Sequence, residues 1–200
     1  MDRLEFLKKM KTAVLAAGLL MMSTSCAFSG NSGNTVLNGD LKFTQADLSV
    51  KPFMEIEIET VADVYYTQTN GDQQDVRLDF SKISDPKFKK QLMENVKVVY
   101  RENKMIIGLA SRVKGISKLK NNERLRVYVT SPDLVKVSLE GVGSFNANAI
   151  NSDVFEIDNE GVGNVNVKNL LANKIEITNE GVGNVRIDNM QSDHVDIDNE

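Results

Sequence analysis

Glutamate recurs at a fixed interval of 20 residues near the end of the chain, as Glu140, Glu160 and Glu180, with Glu200 in the same phase. Asparagines keep constant offsets from them. Asn159, Asn179 and Asn199 precede Glu160, Glu180 and Glu200, and Asn164 and Asn184 follow Glu160 and Glu180 four positions on. Carboxylates stacked one coil above another repel, and the repulsion is relieved by a raised pKa, by water or by a bound cation. Calcium suits such an all-oxygen set. The pattern lacks the aspartate of the Gly-Gly-x-Gly-x-Asp calcium repeat, and asparagine columns stack through their own amide hydrogen bonds. The ladder of Glu140, Glu160, Glu180, Asn159, Asn179, Asn164 and Asn184 is therefore a candidate ligand or cation site. Solvated, hydrogen-bonded columns are the reading preferred for it, and a calcium-stabilised structural repeat is the alternative.

To hold these residues in columns the backbone must repeat its path. Glu140-Gly141-Val142-Gly143 returns as Glu160-Gly161-Val162-Gly163 and Glu180-Gly181-Val182-Gly183, and apolar columns share the register: Phe145, Val165, Val185; Ile150, Leu170, Met190; Ile157, Ile177, Ile197. Within each unit Phe155-x-Ile157 and Val165-x-Val167 alternate with period two, which indicates strands and excludes a helical repeat. Each unit reads as strand, tight turn, strand, turn. Identical offsets let each strand lie parallel on its counterpart, roughly 4.8 Å away. The expected fold is all-β, a parallel β-solenoid of about 20-residue coils. Its coils run over residues 135–200, and Gly-x-Gly marks corners that need positive φ or close backbone approach. Asp198-Asn199-Glu200 repeats Asp158-Asn159-Glu160, so the coils are expected to continue beyond Glu200.

Residues 41–134 read as an irregular β region carrying one short helix. Alternation appears in Met54-x-Ile56-x-Ile58, Val64-x-Tyr66, Val76-x-Leu78-x-Phe80, Val96-x-Val98-x-Tyr100, Met105-x-Ile107-x-Leu109 and Leu125-x-Val127-x-Val129. Asn70-Gly71-Asp72 is a turn. Asp85 as N-cap, Pro86 at the first helical position, and Phe88 and Leu92 on one face predict a helix over 86–94. Arg112 to Lys120 is the most basic run, read as a solvated loop or lysine-protected edge strand, with contact to an anionic glycan or lipid headgroup as the functional alternative.

Of the 200 residues only one is His and one is Cys, which excludes an internal disulfide framework and a Cys/His zinc site. Without the first 25 residues, 20 basic and 26 acidic side chains remain, so nucleic acid is not an expected partner. Lys8, Lys9 and Lys11 precede an 11-residue apolar run from Thr12 to Met22, too short to span a bilayer and right for a secretory signal. Ser23-Thr24-Ser25-Cys26 resembles a bacterial lipobox, with Ser23 where the pattern has Leu. Residues 1–25 are thus expected to be a lipoprotein-type signal peptide, Cys26 the lipidated residue, and 26–40 a flexible tether. The departure at Ser23 leaves an ordinary cleaved signal as the alternative. The anchor implies outer-membrane attachment, on the surface or the periplasmic side.

Lys51-Pro52-Phe53-Met54-Glu55-Ile56, Ala62-Asp63-Val64-Tyr65-Tyr66-Thr67-Gln68 and Val127-Tyr128-Val129-Thr130-Ser131-Pro132-Asp133-Leu134, followed by Gly-x-Gly corners, resemble the putative auto-transporter adhesin head GIN domain family. The resemblance covers roughly residues 40–200. It implies an exported protein of the kind common in Bacteroidetes, with a β-solenoid-like fold, and it brings no catalytic residues. The family's corner is Ser-Gly-Ser-Gly where this chain has Glu-Gly-Val-Gly, so no role of those serines transfers. Function is expected to be non-enzymatic, a binding, adhesion or structural domain of a cell-envelope lipoprotein, with a glycan or an envelope or host protein as partner. A polysaccharide-acting enzyme is the alternative. Against it, His194 stands alone and neither Gly-x-Ser-x-Gly nor His-Glu-x-x-His occurs.

Overall fold

In the computed structural model the 20-residue register becomes strand pairing. β10 (Val142–Asn159) and β11 (Val162–Asn179) run parallel, with Phe145 opposite Val165, Ile150 opposite Leu170 and Ile157 opposite Ile177. The third unit continues the stack as two strands, β12 (Val185–Gln191) and β13 (His194–Asn199), both parallel to β11. The structure describes residues 36–37, 40–43, 52–111, 113 and 123–200. The expected signal peptide, Cys26, and Arg112 and Lys114–Lys120 of the basic run lie outside the described residues.

Upstream, the strands are β1 (Val36–Leu37), β2 (Asp40–Phe43), β3 (Glu55–Ile58), β4 (Val61–Gln68), β5 (Asp75–Asp79), β6 (Val96–Arg101), β7 (Lys104–Leu109), β8 (Leu125–Ser131) and β9 (Lys136–Leu139). The helix α1 (Pro86–Asn95) starts as its sequence predicts: Asp85 caps it, and the Phe88 amide donates to Asp85 Oδ1 at 2.9 Å. Leu92 is its buried contact with the core.

These strands correct the expected architecture. The fold is not a parallel β-solenoid. It is a mixed sheet that curls into an open half-barrel, in the order β1-β2-β5-β8-β4-β10-β9-β3-β7-β6, with β11 added on β10 and β12 and β13 on β11. β1 with β2, β2 with β5, β5 with β8 and β6 with β7 are antiparallel. The cause is connectivity. β6 and β7 are joined by two residues, Glu102 and Asn103, with Glu102 at φ 55°, and so short a link can only return the chain antiparallel. β5 follows β4 through the Asn70-Gly71-Asp72 turn but pairs with β8, while β4 lies parallel to β8 and β10.

The repeat unit differs as well. β10 and β11 are each 18 residues long and uninterrupted, where two short strands and a turn are expected. Alternation slips twice in each: Asn148 with Ala149 and Asp153 with Val154 in β10, and Lys168 with Asn169 and Asn173 with Lys174 in β11, are consecutive positions that both lie off the core. A slip of phase bends a strand without ending its ladder. The bend lets the first part of β10 pair with β4 and its last part with β9, so one strand joins both arms of the sheet. Between the arms lies the core, including Ile58, Val64, Leu78, Ile107, Phe145 and Phe155.

Candidate functional site

Glu140, Glu160, Glu180 and Glu200 do form a column. Each follows a strand end and hydrogen-bonds through its amide to the coil before: Glu140 to Ile58 O at 3.0 Å, Glu160 to Leu139 O at 3.0 Å, Glu180 to Asn159 O at 3.0 Å and Glu200 to Asn179 O at 3.2 Å. All four are exposed. Asparagine makes two different ladders. Asn159 is fully buried, and its amide donates to Asn179 Oδ1 at 2.6 Å, while that of Asn179 donates to Asn199 Oδ1 at 2.7 Å. This ladder starts inside the core, so Asn159 faces away from the glutamates' solvent. Asn164 and Asn184 are exposed, and the Asn184 backbone amide donates to Asn164 Oδ1 at 3.1 Å.

Two residues missing from the expected site join its first rung. Parallel pairing of β3 with β9 sets Glu57 opposite Ser138 and Ile58 opposite Leu139, which brings Glu57 and Glu59 to Glu140. Carboxyl oxygens of Glu57, Glu59 and Glu140 lie within 4.8 Å of one another, the one such group among the described residues. Gly108 makes the room: a Cβ there would stand 2.8 Å from Glu59 Oε2. No spacing in the sequence links Glu57 to Glu140, because the contact rests on the pairing of strands far apart in the chain.

The electrostatics of the group are uneven. Burial pushes Glu57 up, but the Lys104 ammonium at 2.5 Å, a hydrogen bond with Glu59 and nearby cations outweigh it and hold its carboxyl below the usual range. Glu59 is raised by desolvation, then by its hydrogen bond with Glu57 and the charges of Glu57 and Glu140. Glu140 is raised by desolvation, then by the charges of Glu57 and Glu160. A resident cation fits poorly, since Lys104 already supplies positive charge to the most buried carboxylate.

A pH effect follows. A carboxyl raised in the folded state stabilises the fold fully below its unfolded pKa, near 4.5, and loses that contribution as pH rises through its folded value; Glu59 and Glu140 behave so. Glu57 is the reverse, stabilising above about 4.5 and losing its contribution as pH falls through its folded value. Relieving one exposed like-charge contact is worth on the order of 0.2–1 kcal/mol. Glu140→Gln is therefore expected to raise Tm at pH 7 by roughly 1–3 °C. The gain should shrink as pH approaches 4.5, where wild-type Glu140 takes up its proton. A gap between variant and wild type that stays constant from pH 7 to 4.5 would show that the glutamates do not interact.

The rest of the outward surface is also built in rows across strands. On one face Tyr65 and Tyr128 stack with centroids 5.3 Å apart, and the Arg77 guanidinium lies 4.0 Å from the centre of the Tyr128 ring. Beside them Asn166 donates to Asn146 Oδ1 at 3.1 Å, and Asn146 donates to Ser144 Oγ at 2.9 Å. On another, Lys136 bridges Glu156 at 2.5 Å and Asp158 at 3.6 Å, and Lys174 pairs with Glu176.

The domain is a curled sheet whose outward face repeats polar side chains strand after strand. Its family is shown directly: the profile of the family described as putative auto-transporter adhesin, head GIN domain, matches residues 52–198, and the chain belongs to that family. Among solved structures it is similar to the crystal structure of a putative adhesin from Bacteroides fragilis NCTC 9343, at 25% identity and TM-score 0.58, over 73% of this chain and 60% of that one. It also shares its fold with a putative lipid binding protein from Parabacteroides distasonis ATCC 8503, at 13% identity and TM-score 0.50, over 76% of this chain and 68% of that one. The chain thus spans about 60% of the length of the B. fragilis protein. A search of curated proteins finds no match.

Proposed function

We propose that this protein is a non-enzymatic binding module of the cell envelope, adhesion-like in action, exported and anchored to the outer membrane through lipid on Cys26. Its partner is a glycan or an envelope or host protein. The observation that carries this reading is the repetition of the outward face: β10, β11 and the strands beside them offer similar polar groups at each strand step. Contacts that are weak singly gain strength when several engage at once. Membership of an adhesin head family supports the same reading. No helix among the described residues is long and apolar enough to cross a membrane, and the anchor in this reading is the lipobox-like Ser23-Thr24-Ser25-Cys26 of the sequence.

Catalysis is disfavoured on chemical grounds. The opposed pKa shifts of Glu57 and Glu59 resemble those of an acid–base pair, but Glu57 is occupied by Lys104 and hydrogen-bonded to Glu59. A glycan array and a pull-down from envelope extracts, both with the folded domain, test the binding half of the proposal. Retention on at least one is expected. Silence on both leaves a purely structural role. Protease shaving of intact cells adds whether the domain faces outward.

A further inference from the structure

We propose that Asn70 is a site of spontaneous covalent modification, where the side chain closes on the backbone nitrogen of Gly71, releases ammonia and becomes an aspartyl or isoaspartyl residue. Asparagine is a thermolabile side chain, and this chain stacks many of them. The reaction needs three conditions together. The following nitrogen must be able to lose its proton, a five-membered ring must have room to close, and the carboxamide must be able to turn toward that nitrogen.

The asparagine ladders withhold these conditions. After Asn159, Asn179 and Asn199 the next amide is already donated: Glu160 to Leu139 O at 3.0 Å, Glu180 to Asn159 O at 3.0 Å and Glu200 to Asn179 O at 3.2 Å. After Asn164 the Val165 amide donates to Asn184 O at 3.0 Å. A proton held in such a bond is not readily lost, and the side chain at the following position crowds the ring. The carboxamides are tied too, Asn159 to Asn179 at 2.6 Å and Asn179 to Asn199 at 2.7 Å.

Between β4 and β5 all three conditions are met. Asn70, Gly71, Asp72 and Gln73 are exposed. Among the described residues neither the Gly71 amide nor the Asn70 carboxamide has a hydrogen-bond partner; Gly71 is engaged only through its carbonyl, by Thr69 Oγ1 at 3.2 Å. A Cβ added to Gly71 would meet nothing within 4 Å, so the ring closes without a clash. The flanks are pinned, with the Thr69 amide donating to Ser131 O at 3.0 Å and Gln73 Nε2 to Asp75 Oδ2 at 2.7 Å. Asn38-Gly39, the other Asn-Gly pair of the sequence, lies outside the described residues.

The step balances without an oxidant or a cofactor. The Gly71 nitrogen gives its proton to solvent and bonds to Cγ of Asn70, the bond from Cγ to Nδ2 breaks, and Nδ2 leaves as ammonia. A cyclic imide remains. Water then opens either C–N bond of the imide, which restores the ordinary peptide link beside an aspartyl side chain or carries the link through the side-chain carboxyl as isoaspartate. Either product adds one negative charge to the formal −4 of the chain, next to Asp72. Because the tip is exposed and its flanks are held, Tm is expected to stay within about 2 °C.

The test is incubation of the full chain at pH 8.5 and pH 5.5, followed by peptide mapping that separates aspartyl from isoaspartyl products. Conversion at Asn70 is expected at least tenfold faster than at Asn159, Asn164 or Asn179, faster at the higher pH, and with both products formed. The native chain should convert at Asn70 within about threefold of the rate in urea, since the fold leaves this tip unshielded. Gly71→Ala, whose added methyl crowds the ring but touches nothing in the fold, should slow it at least tenfold. A native rate at Asn70 no higher than that of the ladders, or tenfold or more below the rate in urea, overturns the proposal. So does aspartyl product alone, which would mean direct hydrolysis without the imide, or an unchanged rate in Gly71→Ala.

Discussion

Gly163→Ala is expected to destabilise the fold by about 3 kcal/mol or more and to lower Tm by roughly 6–12 °C. The cause is backbone against backbone. A Cβ on Gly163 would stand 1.8 Å from the carbonyl oxygen of Gly143 and 2.8 Å from its carbonyl carbon. A flexible side chain could swing aside, but a peptide group held in a ladder cannot. Relief requires β11 to move off β10, and their pairing runs from Val142 with Val162 to Asn159 with Asn179. The contact is one of a stack, since a Cβ added to Gly143 would stand 1.7 Å from Ala62 O and one added to Gly183 would stand 1.6 Å from Gly163 O. Gly71→Ala is the control: nothing lies within 4 Å of its added Cβ, and a change within about 0.5 kcal/mol is expected. Equal thermal shifts for the two variants would remove close approach as the reason for the Gly-x-Gly corner.

That corner is where the sequence is most informative, because a repeated glycine states a local need and a repeated apolar residue states a neighbour. The columns Phe145, Val165, Val185 and Ile157, Ile177, Ile197 lie in the pairings that the 20-residue offset implies. Asp85 and Pro86 likewise mark the start of α1, since capping is decided within four residues. What stays hidden is how strands without a repeat find partners. Period-two alternation is the same in parallel and antiparallel strands, so Val96 to Tyr100 and Met105 to Leu109 read as strands without revealing their hairpin. Its turn, Glu102 and Asn103, lacks the glycine that signals such a link, and Glu102 takes the positive φ itself.

The candidate site was legible to the same extent. The glutamate column follows from the repeat, and Asn159 shares the parity of Phe155 and Ile157, a signal that it points inward with them. Glu57 and Glu59 carry no such signal. They reach Glu140 only because β3 inserts between β9 and β7.

Phe145→Ala, the second large effect, is expected to cost about 3–5 kcal/mol while leaving a single unfolding transition. Phe145 is fully buried where the two regions of the chain meet: it is the register partner of Val64 on β4 and of Val165 on β11. Its ring stacks on Tyr66, with centroids 6.1 Å apart, and the Tyr66 hydroxyl is 3.0 Å from Ser131 Oγ on β8. Truncation to Ala opens a cavity that touches β4, β8, β10 and β11 together. A repeat that folded by itself would lose its own stability and leave β4, β5 and β8 protected. In one continuous sheet the loss is shared, so hydrogen exchange should quicken in β4 and β8 as much as in β11. Described residues on both sides of Phe145 belong to one compact unit, 33–200, which is the arrangement that makes the response shared. Two separate thermal transitions in the variant, with exchange accelerated only from Val142 onward, would instead make the repeats a folding unit of their own.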